Sequence, residues 1–222
     1  MTRFLSSLAF FLLLLVWGCA APSGVRVPAI AEPDIAAAYL PLQGRALLGL
    51  VRADGAAVVI APGIAVTNAH NDNLVDPRTV LGFGTSSDLM FFRTSRKALP
   101  PTADPIIGQR VTAYGQDANA KLRIAHGLVC NIARVPGHAD SPYFIFAGNA
   151  GPGFSGGPVV DDDGRLIGIT FAFVDKPKKS RLIFAYDMRR VVAEFQLKRP
   201  RRSQVDDQFA PAPVYGDCDR KF

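Results

Sequence analysis

Short apolar runs follow one another along the chain from residue 45 to residue 186, and turn-forming Gly, Pro, Asp and Asn residues separate them. Many short strands with turn signals between them are typical of an all-β barrel or sandwich. We therefore predict strands in the following runs: 45–52, 56–60, 64–67, 79–83, 88–92, 109–115, 121–134, 143–147, 157–160, 165–174 and 181–186.

One segment has the period of an amphipathic helix instead. In residues 187–197, DMRRVVAEFQL, apolar side chains recur at spacings of three and four. Asp187 stands immediately before the periodic residues, where a short acidic side chain can cap the first free N–H groups of a helix. The predicted fold is therefore all-β with a short C-terminal helix.

The first residues have the composition of an export signal. Arg3 precedes an apolar run over residues 8–17, which is shorter than the roughly 20 residues that a membrane-spanning helix needs. We therefore expect residues 1–18 to be a cleaved signal peptide and the protein to be exported from the cytoplasm. An uncleaved N-terminal anchor is the alternative interpretation.

The signal ends in Val16-Trp17-Gly18-Cys19, which resembles the bacterial lipoprotein box. In that box the cysteine becomes the lipid-bearing N-terminus. The resemblance therefore implies lipidation of Cys19 and a periplasmic or cell-envelope lipoprotein that is held to a membrane. Trp17 is bulkier than the residue usually found at its position, and a soluble secreted protein cut nearby is the alternative.

Composition changes on both sides of the strand-rich region. Residues 19–40 are rich in Ala and Pro without clear periodicity, and we interpret them as a tether. One domain is expected over residues 41–197, followed by a basic, Pro-containing tail over residues 198–222. Part of the formal net charge of +6 lies in KRPRR, residues 198–202. In an exported protein this run is either solvated or in contact with anionic lipid, and we do not expect nucleic acid as a partner.

Two cysteines, Cys130 and Cys218, remain outside the signal. An oxidising compartment permits a disulfide between them. Cys130 lies in the apolar stretch GLVCNIA and is also explained as a small buried residue. The sequence leaves both interpretations open.

The segment GPGFSGGP, residues 151–158, places Ser155 among glycines. Glycine allows a tight turn and brings amide N–H groups close to the hydroxyl, as a nucleophilic serine requires. The same residues also satisfy G-x-S-x-G, the nucleophile elbow of α/β-hydrolases. That fold needs its histidine after the serine, whereas His70, His126 and His138 all precede Ser155. The order favours a His-Asp-Ser arrangement instead.

His70 is the candidate general base. It follows the apolar strand and the small-residue turn of GIAVTNAH, residues 63–70, and the end of a strand can hold a base in a fixed position. His126 lies within a predicted strand and His138 in a Gly/Pro-rich loop, so neither is expected to act in catalysis.

Asp88 is the candidate carboxylate that orients His70. It stands immediately before LMFF and is expected to be partly buried, and a buried carboxylate needs a partner such as an imidazole N–H. Asp72 and Asp76 lie closer to His70 in the sequence and are the alternatives. They occupy the polar stretch NDNLVDP, where Asp is ordinarily a turn residue.

Together, TNAH around His70, SDLMFF around Asp88 and GFSGGP around Ser155 resemble the trypsin-like serine proteases of the chymotrypsin fold, and their HtrA/Deg branch in particular. The resemblance extends over about residues 45–197. Each motif alone is weak, but the combination in this order is specific.

The resemblance implies a fold and a set of roles. The fold is two six-stranded β-barrels, roughly residues 41–100 and 101–197, with the histidine and aspartate in the first barrel and the serine in the second. The backbone N–H groups of Gly153 and Ser155 would form the oxyanion hole. The resemblance does not extend to the PDZ domain of many HtrA relatives, and the short stretch from the histidine to the aspartate implies a trimmed first barrel.

Phe154 departs from the digestive members of this family, which have an Asp immediately before the catalytic serine. In those enzymes that Asp pairs with a newly cut N-terminus to assemble the oxyanion hole. Phe154 cannot make an ion pair, so we do not expect activation by that route.

The resemblance also implies a substrate pocket made by Asn149, six residues before the serine, and by Thr170, Phe171 and Phe173 on the strand that follows. Asn149 carries no charge to neutralise a buried substrate cation, and a phenyl ring at Phe173 would narrow the pocket. We expect cleavage after small or medium apolar residues such as Ala or Val, and little after Arg or Lys.

These features predict an exported serine endopeptidase that cleaves protein or peptide substrates through an acyl-enzyme on Ser155. We expect no cofactor and no metal, and the sequence has no H-E-x-x-H zinc motif. The alternative is a catalytically inactive, protease-like adaptor that binds proteins at the cell envelope. A module that binds membrane or cell wall through the basic tail is disfavoured, because the tail is too short to be the whole function.

Overall fold

The computed structural model describes residues 23–46, 51–135, 138–176, 181–200 and 218. The strands in these ranges form two β-sheets, one of five strands and one of seven. The predicted signal peptide, the lipidation of Cys19 and the tail beyond residue 200, apart from Cys218, lie outside the described residues.

The first unit is an antiparallel sheet with the strand order β2-β3-β4-β6-β5. The middle of its inner strand β3 is buried, because Ala57 packs into the core of this sheet while its neighbours Ala56 and Val58 belong to the cluster shared with the second unit. The strands are β2 Tyr39–Ala46, β3 Val51–Ala61, β4 Ile64–Thr67, β5 Val80–Phe83 and β6 Met90–Arg93, and two short 3-10 turns lie between β4 and β5 at Ala69–Leu74 and Pro77–Thr79.

The second unit is a closed barrel. Its sheet has the order β1-β8-β7-β10-β11-β12-β9, and β9 also pairs with β8, so six strands close on themselves and β1 lies outside the ring. The strands are β1 Val25–Arg26, β7 Arg110–Gln116, β8 Leu122–Val135, β9 His138–Gly148, β10 Pro158–Asp161, β11 Leu166–Asp175 and β12 Arg181–Asp187.

This architecture confirms the predicted all-β, chymotrypsin-like class and the six-stranded second barrel. The prediction of six strands in the first unit is wrong for the described residues, where it is a five-stranded sheet. The reason is the short connection from β4 to β6, residues 68–89, which contains one strand and two 3-10 turns.

A helix of ten residues, α2 Met188–Leu197, follows the last strand directly. The side chain of Asp187 accepts a hydrogen bond from the N–H of Arg190, which confirms the predicted N-cap. Within the described ranges no helix is both long enough and apolar enough to cross a membrane.

The predicted tether over residues 19–40 is wrong for its described part. Residues 25 and 26 pair with β8 as strand β1, and a second helix, α1 Pro33–Ala38, precedes β2. Pro33 suits the first turn of a helix, and Ile35 and Ala38, three residues apart, are both fully buried. The segment looks like a linker in composition, but two apolar residues on one helix face anchor it.

The single strand predicted over residues 45–52 is also wrong. Residues 45–46 end β2 and residues 51–52 begin β3, with Ala46 paired antiparallel to Val51. The predicted run therefore contributes to two strands that pair with each other.

Cys130 and Cys218 form a disulfide that the sequence left open. The bond joins the middle of β8 to a residue 88 positions later in the tail. It attaches the tail to the second barrel, and both cysteines are buried.

Candidate active site

His70 lies just beyond the end of β4, in the first turn of the 3-10 segment Ala69–Leu74. Its neighbours Ala69 and Asn71 are buried, whereas 41% of the histidine side chain is exposed. The buried neighbours fix the backbone, so the imidazole is held at the surface in a defined place.

Asp88 is bonded through every polar group it carries. Its N–H donates to the hydroxyl oxygen of Tyr186 at 3.0 Å, and its carbonyl oxygen accepts from the side chain of Asn68 at 3.0 Å and from the N–H of Ala69 at 3.2 Å. Its carboxylate oxygen Oδ1 accepts from the N–H of His70 at 3.0 Å, and Oδ2 lies 2.5 Å from Nδ1 of the same residue.

This pair sets the state of the imidazole. In the tautomer that donates from Nδ1 to this carboxylate, Nε2 is left to accept a proton from elsewhere. Only 12% of the Asp88 side chain is exposed. The structure therefore brings together the histidine and aspartate that the sequence singled out.

The alternative carboxylates are engaged elsewhere. Asp76 pairs with the exposed Arg78 at 2.7 Å and caps its N–H, and these hydrogen bonds lower the pKa of Asp76. Asp72 is an exposed residue of the 3-10 turn. His126 lies in β8, as predicted, with Nδ1 3.0 Å from the hydroxyl oxygen of Thr112.

Ser155 lies in the loop between β9 and β10, and its backbone is tied to the first unit. Its carbonyl oxygen accepts from the N–H of Ala56 at 2.8 Å and from the side-chain amide of Asn71 at 3.1 Å. Asn71 also donates to the hydroxyl of Thr67 at 2.9 Å, and Thr67 donates to the carbonyl oxygen of Ala56 at 2.7 Å. This closed ring of hydrogen bonds joins the serine loop to the residue next to His70.

Two glycines make the close approach possible. Gly156 has φ of +79°, and a Cβ there would overlap the carbonyl oxygen of Ala56 and the hydroxyl of Thr67. A Cβ on Gly55 would lie 2.6 Å from the side-chain nitrogen of Asn71. Only glycine has both the backbone conformation and the missing side chain that this contact requires.

The backbone N–H groups of Gly153 and Ser155 lie in the loop that carries the serine. Among the described residues, nothing accepts from the N–H groups of Gly153 and Ser155. Three other amides of this loop have backbone acceptors: Phe154 donates to Gly151 at 3.0 Å, Gly156 to Thr170 at 2.9 Å and Gly157 to Phe154 at 2.8 Å. A pair of free amides at a serine is the arrangement that can stabilise an oxyanion.

A small cleft of about 10 Å³ lies beside Ser155. Its walls are mainly apolar and include the predicted residues Thr170, Phe171 and Phe173; the other lining residues are Ala150, Gly151, Phe154, Ala172 and Ile183. Asn149 does not line it, because that side chain is exposed and its carbonyl oxygen accepts from the N–H of Gly24. The prediction that Asn149 forms the base of this pocket is therefore corrected.

The C-terminal helix holds the loop that precedes Asp88, and no sequence signal indicated this. Oε2 of Glu194 accepts from the N–H and the hydroxyl of Thr85 at 2.5 and 2.9 Å. Oε1 accepts from the N–H and the hydroxyl of Ser86 at 3.2 and 2.6 Å. Burial alone would raise the pKa of Glu194, but these hydrogen bonds and the positive charge of Arg190 lower it.

Tyr186 links the cleft wall to Asp88. Its ring stacks on that of Phe171 with the centroids 4.0 Å apart, and its hydroxyl oxygen accepts from the N–H of Asp88. The guanidinium of Arg190 lies over the Tyr186 ring, 4.6 Å from its centroid, and donates a hydrogen bond to the carbonyl oxygen of Ser86. Burial raises the pKa of Tyr186, so the hydroxyl stays neutral.

Fold and site together define a class of protein. A strand-end histidine bonded to a buried aspartate lies at the junction of a five-stranded sheet and a six-stranded barrel, and a glycine-flanked serine joins it from the barrel. These are the features of the chymotrypsin-like serine peptidases.

The family comparison agrees with this class. The family model described as the trypsin-like peptidase domain matches residues 50–169, and the chain belongs to that family. Among curated protein sequences, none matches this chain significantly.

Solved structures with the same fold include the active form of the Rv3671c protease from M. tuberculosis, which is 17% identical with a TM-score of 0.61 over 83% of this chain and 93% of that chain. The HtrA-type protease AlgW with a tripeptide is 20% identical with a TM-score of 0.59; the matched part is 73% of this chain and 60% of that chain. The inactive form of Rv3671c is 17% identical with a TM-score of 0.57, over 80% and 98% of the two chains.

Glu194→Gln is expected to lower the free energy of unfolding at pH 7 by about 2 kcal/mol, because an amide cannot accept all the hydrogen bonds of a buried carboxylate. The folded protein lowers the pKa of Glu194. The stabilisation is therefore complete above the unfolded pKa of about 4.3 and is lost as the pH falls through the folded value. Denaturant unfolding at pH 7 and at pH 3 measures the difference.

The matched control is Asp162→Asn, which removes an exposed carboxylate paired with Arg110 at 2.8 Å. A surface pair contributes less than about 1 kcal/mol, so this variant should unfold almost as the wild type does. The assigned role would be contradicted if wild type and Glu194→Gln had the same free energy of unfolding at pH 7. It would also be contradicted if the difference between them were as large at pH 3 as at pH 7.

Proposed function

We propose that this chain is an exported serine endopeptidase that cleaves peptide bonds through an acyl-enzyme on Ser155. His70 is the general base, and Asp88 orients it and stabilises its protonated form. The observation that carries the proposal is the 2.5 Å contact between Oδ2 of Asp88 and Nδ1 of His70, beside a glycine-flanked serine loop.

Acylation follows from the roles of these groups. The hydroxyl oxygen of Ser155 attacks the substrate carbonyl carbon while Nε2 of His70 takes the hydroxyl proton. The tetrahedral intermediate then collapses, and the imidazolium gives that proton to the leaving amine as the C–N bond breaks. A water molecule repeats the sequence on the ester, which releases the acid and restores the serine.

The N–H groups of Gly153 and Ser155, for which the described part of the chain offers no acceptor, supply the oxyanion hole in this proposal. Negative charge develops on the carbonyl oxygen only when the tetrahedral intermediate forms. Donors already fixed by the surrounding backbone stabilise that charge without reorganising, and each such donor contributes about 10²- to 10³-fold in rate.

Ser155→Ala is expected to lower peptide hydrolysis by several orders of magnitude, to the level that binding and the oxyanion donors alone supply. Asp88→Asn should lower kcat by about 10⁴-fold near neutral pH, because the amide favours the wrong tautomer of His70. The measurement is steady-state cleavage of casein or of a quenched peptide, with circular dichroism to show that the variants fold.

Asp76→Asn is the matched control, since the carboxylate of Asp76 pairs with the exposed Arg78 and not with His70. It should retain the wild-type rate. Native activity in Ser155→Ala would falsify the assignment of the nucleophile, and inactivity of a folded wild type would favour a protease-like adaptor instead.

The proposal includes a cellular location for the protein, namely the surface of a membrane outside the cytoplasm. An apolar run that ends in Val16-Trp17-Gly18-Cys19 supports export and a lipid on Cys19. Ser23 lies four residues later and accepts a hydrogen bond from Arg181 at the edge of the cleft. Four residues span at most about 14 Å, so a lipid on Cys19 would hold the cleft close to the membrane and favour substrates at its surface.

Cys19→Ala is expected to abolish incorporation of a fatty-acid analogue, because the thiol that carries the lipid is lost. Metabolic labelling of the wild type and the variant, followed by fractionation of membranes, checks this. Cys130→Ala serves as the control and should be labelled, since its thiol is in a disulfide. Equal labelling of wild type and Cys19→Ala would remove the lipid anchor and leave export as the remaining claim.

The cleft supports a preference for small or medium apolar residues at the cleaved bond. None of the described residues that line it is acidic, so a buried substrate cation would lack a counter-charge. Phe173 occupies one wall, and the guanidinium of Arg181 covers its ring at 4.9 Å from the centroid. This packing keeps the phenyl ring in place and limits the width of the cleft.

Cleavage of a peptide library is therefore expected after Ala or Val, with little cleavage after Arg or Lys. Phe173→Ala should shift the preference toward Leu or Phe, because it removes a ring from the wall of the cleft. Sequencing the cleavage products by mass spectrometry provides the measurement. A dominant preference of the wild type for Arg or Lys would show that the cleft is assigned wrongly.

A further inference from the structure

Residues 23–26 lie against the loop that carries Ser155. The N–H of Gly24 donates to the carbonyl oxygen of Asn149 at 2.7 Å. The next two residues pair antiparallel with β8, Val25 opposite Ile124 and Arg26 opposite Arg123. This segment therefore joins one strand of the barrel to the beginning of the serine loop.

Two largely buried arginines hold the segment and the loop together. Nη2 of Arg123 donates to the carbonyl oxygen of Gly24 at 2.7 Å, and Nε donates to that of Ser23. Nη1 of Arg181 donates both to the hydroxyl of Ser23 at 2.8 Å and to the carbonyl oxygen of Ala150 at 3.3 Å. Their side chains are 13% and 11% exposed, so these charge-assisted bonds are shielded from water.

Glycine is required on both sides of this contact. Gly24 has φ of +63°, and a Cβ there would overlap the carbonyl oxygen of Ile124 and lie 2.8 Å from Cζ of Phe154. On the loop side, a Cβ on Gly151 would overlap the hydroxyl oxygen of Ser23. The segment thus packs directly on the residue before the serine and on a residue of the cleft wall.

An ion pair adds a third connection, through the turn that follows β7. Nη2 of Arg26 lies 2.6 Å from Oδ2 of Asp117. Burial alone would raise the pKa of Asp117, but hydrogen bonds from Arg26 and from two backbone N–H groups lower it to about 2. The preceding residue, Gln116, donates its N–H to the carbonyl oxygen of Gly153 at 3.1 Å.

We propose that residues 23–26 are a positioning segment that fixes the loop 149–155 in the geometry that oxyanion stabilisation needs. The inference rests on the proposed function, since it concerns the N–H donors of Gly153 and Ser155. Phe154 cannot engage a newly cut N-terminus through an ion pair, and Gly24 covers its ring instead. The loop is thus organised by a segment that starts four residues after Cys19.

The test compares Gly24→Ala with Gly108→Ala in the full chain. Both glycines have positive φ, +63° and +87°, but a Cβ on Gly108 would meet nothing within 4 Å. Both variants carry the same kind of backbone strain, and only Gly24→Ala disturbs the serine loop. We expect kcat to fall about 10²-fold in Gly24→Ala with KM changed less than about 3-fold, while Gly108→Ala stays within about 2-fold of the wild type.

Amide hydrogen exchange supplies a readout that does not need catalysis. Exchange at residues 151–157 should become at least about 10-fold faster in Gly24→Ala and stay unchanged in Gly108→Ala. Ser23→Ala removes only the hydroxyl that Arg181 contacts, and it replaces Gly24→Ala if that variant does not fold.

Equal effects of Gly24→Ala and Gly108→Ala on kcat and on exchange would overturn the positioning role. If the folded wild type hydrolyses no peptide, the proposed function fails, and the exchange comparison alone decides whether the segment organises the loop. Faster exchange confined to residues 151–157 then supports the inference, and unchanged exchange there contradicts it.

Discussion

The contact between the serine loop and strand β3 is the constraint on which the rest of the site depends. The carbonyl oxygen of Ser155 accepts from the N–H of Ala56 and the side chain of Asn71, so one atom of the barrel is fixed by two donors of the other sheet. The two units approach so closely here that a side chain on Gly156 would overlap the carbonyl oxygen of Ala56. Because Asn71 follows His70, the hydrogen bond from Asn71 also links the serine loop to the residue next to the base.

The site is assembled from parts of the chain that are far apart in sequence. The buried amide of Gln116 donates to the carbonyl oxygens of Leu42 and Gly55 and makes a second link between the units. The C-terminal helix reaches back through Glu194 to the loop before Asp88. The units also share one hydrophobic cluster, so the cleft lies on a continuous core and not on a flexible hinge. Such support is what holds catalytic groups within a narrow range of geometry.

The sequence predicted those parts of the molecule that depend on short, local patterns of residues. Apolar runs gave most strands, Asp187 marked the start of the last helix, and the order of the three motifs indicated the histidine, the aspartate and the serine. The predictions failed where contacts with residues distant in the sequence decide the structure. Ile35 is buried because its helix packs on the main core, and the side chain of Asn149 is exposed while its carbonyl oxygen bonds to Gly24. Glu194 gave no signal, since a carboxylate on a helix usually faces solvent.

Reaction with a fluorophosphonate, followed by peptide mapping, tests the central claim most directly. This reagent requires a serine whose hydroxyl is deprotonated by a neighbouring base and whose adduct is held by oxyanion donors. We expect one adduct per folded chain, located on Ser155. A folded protein that forms no adduct, or forms it on a different serine, would contradict the assignment of Ser155, His70 and Asp88 as a catalytic unit.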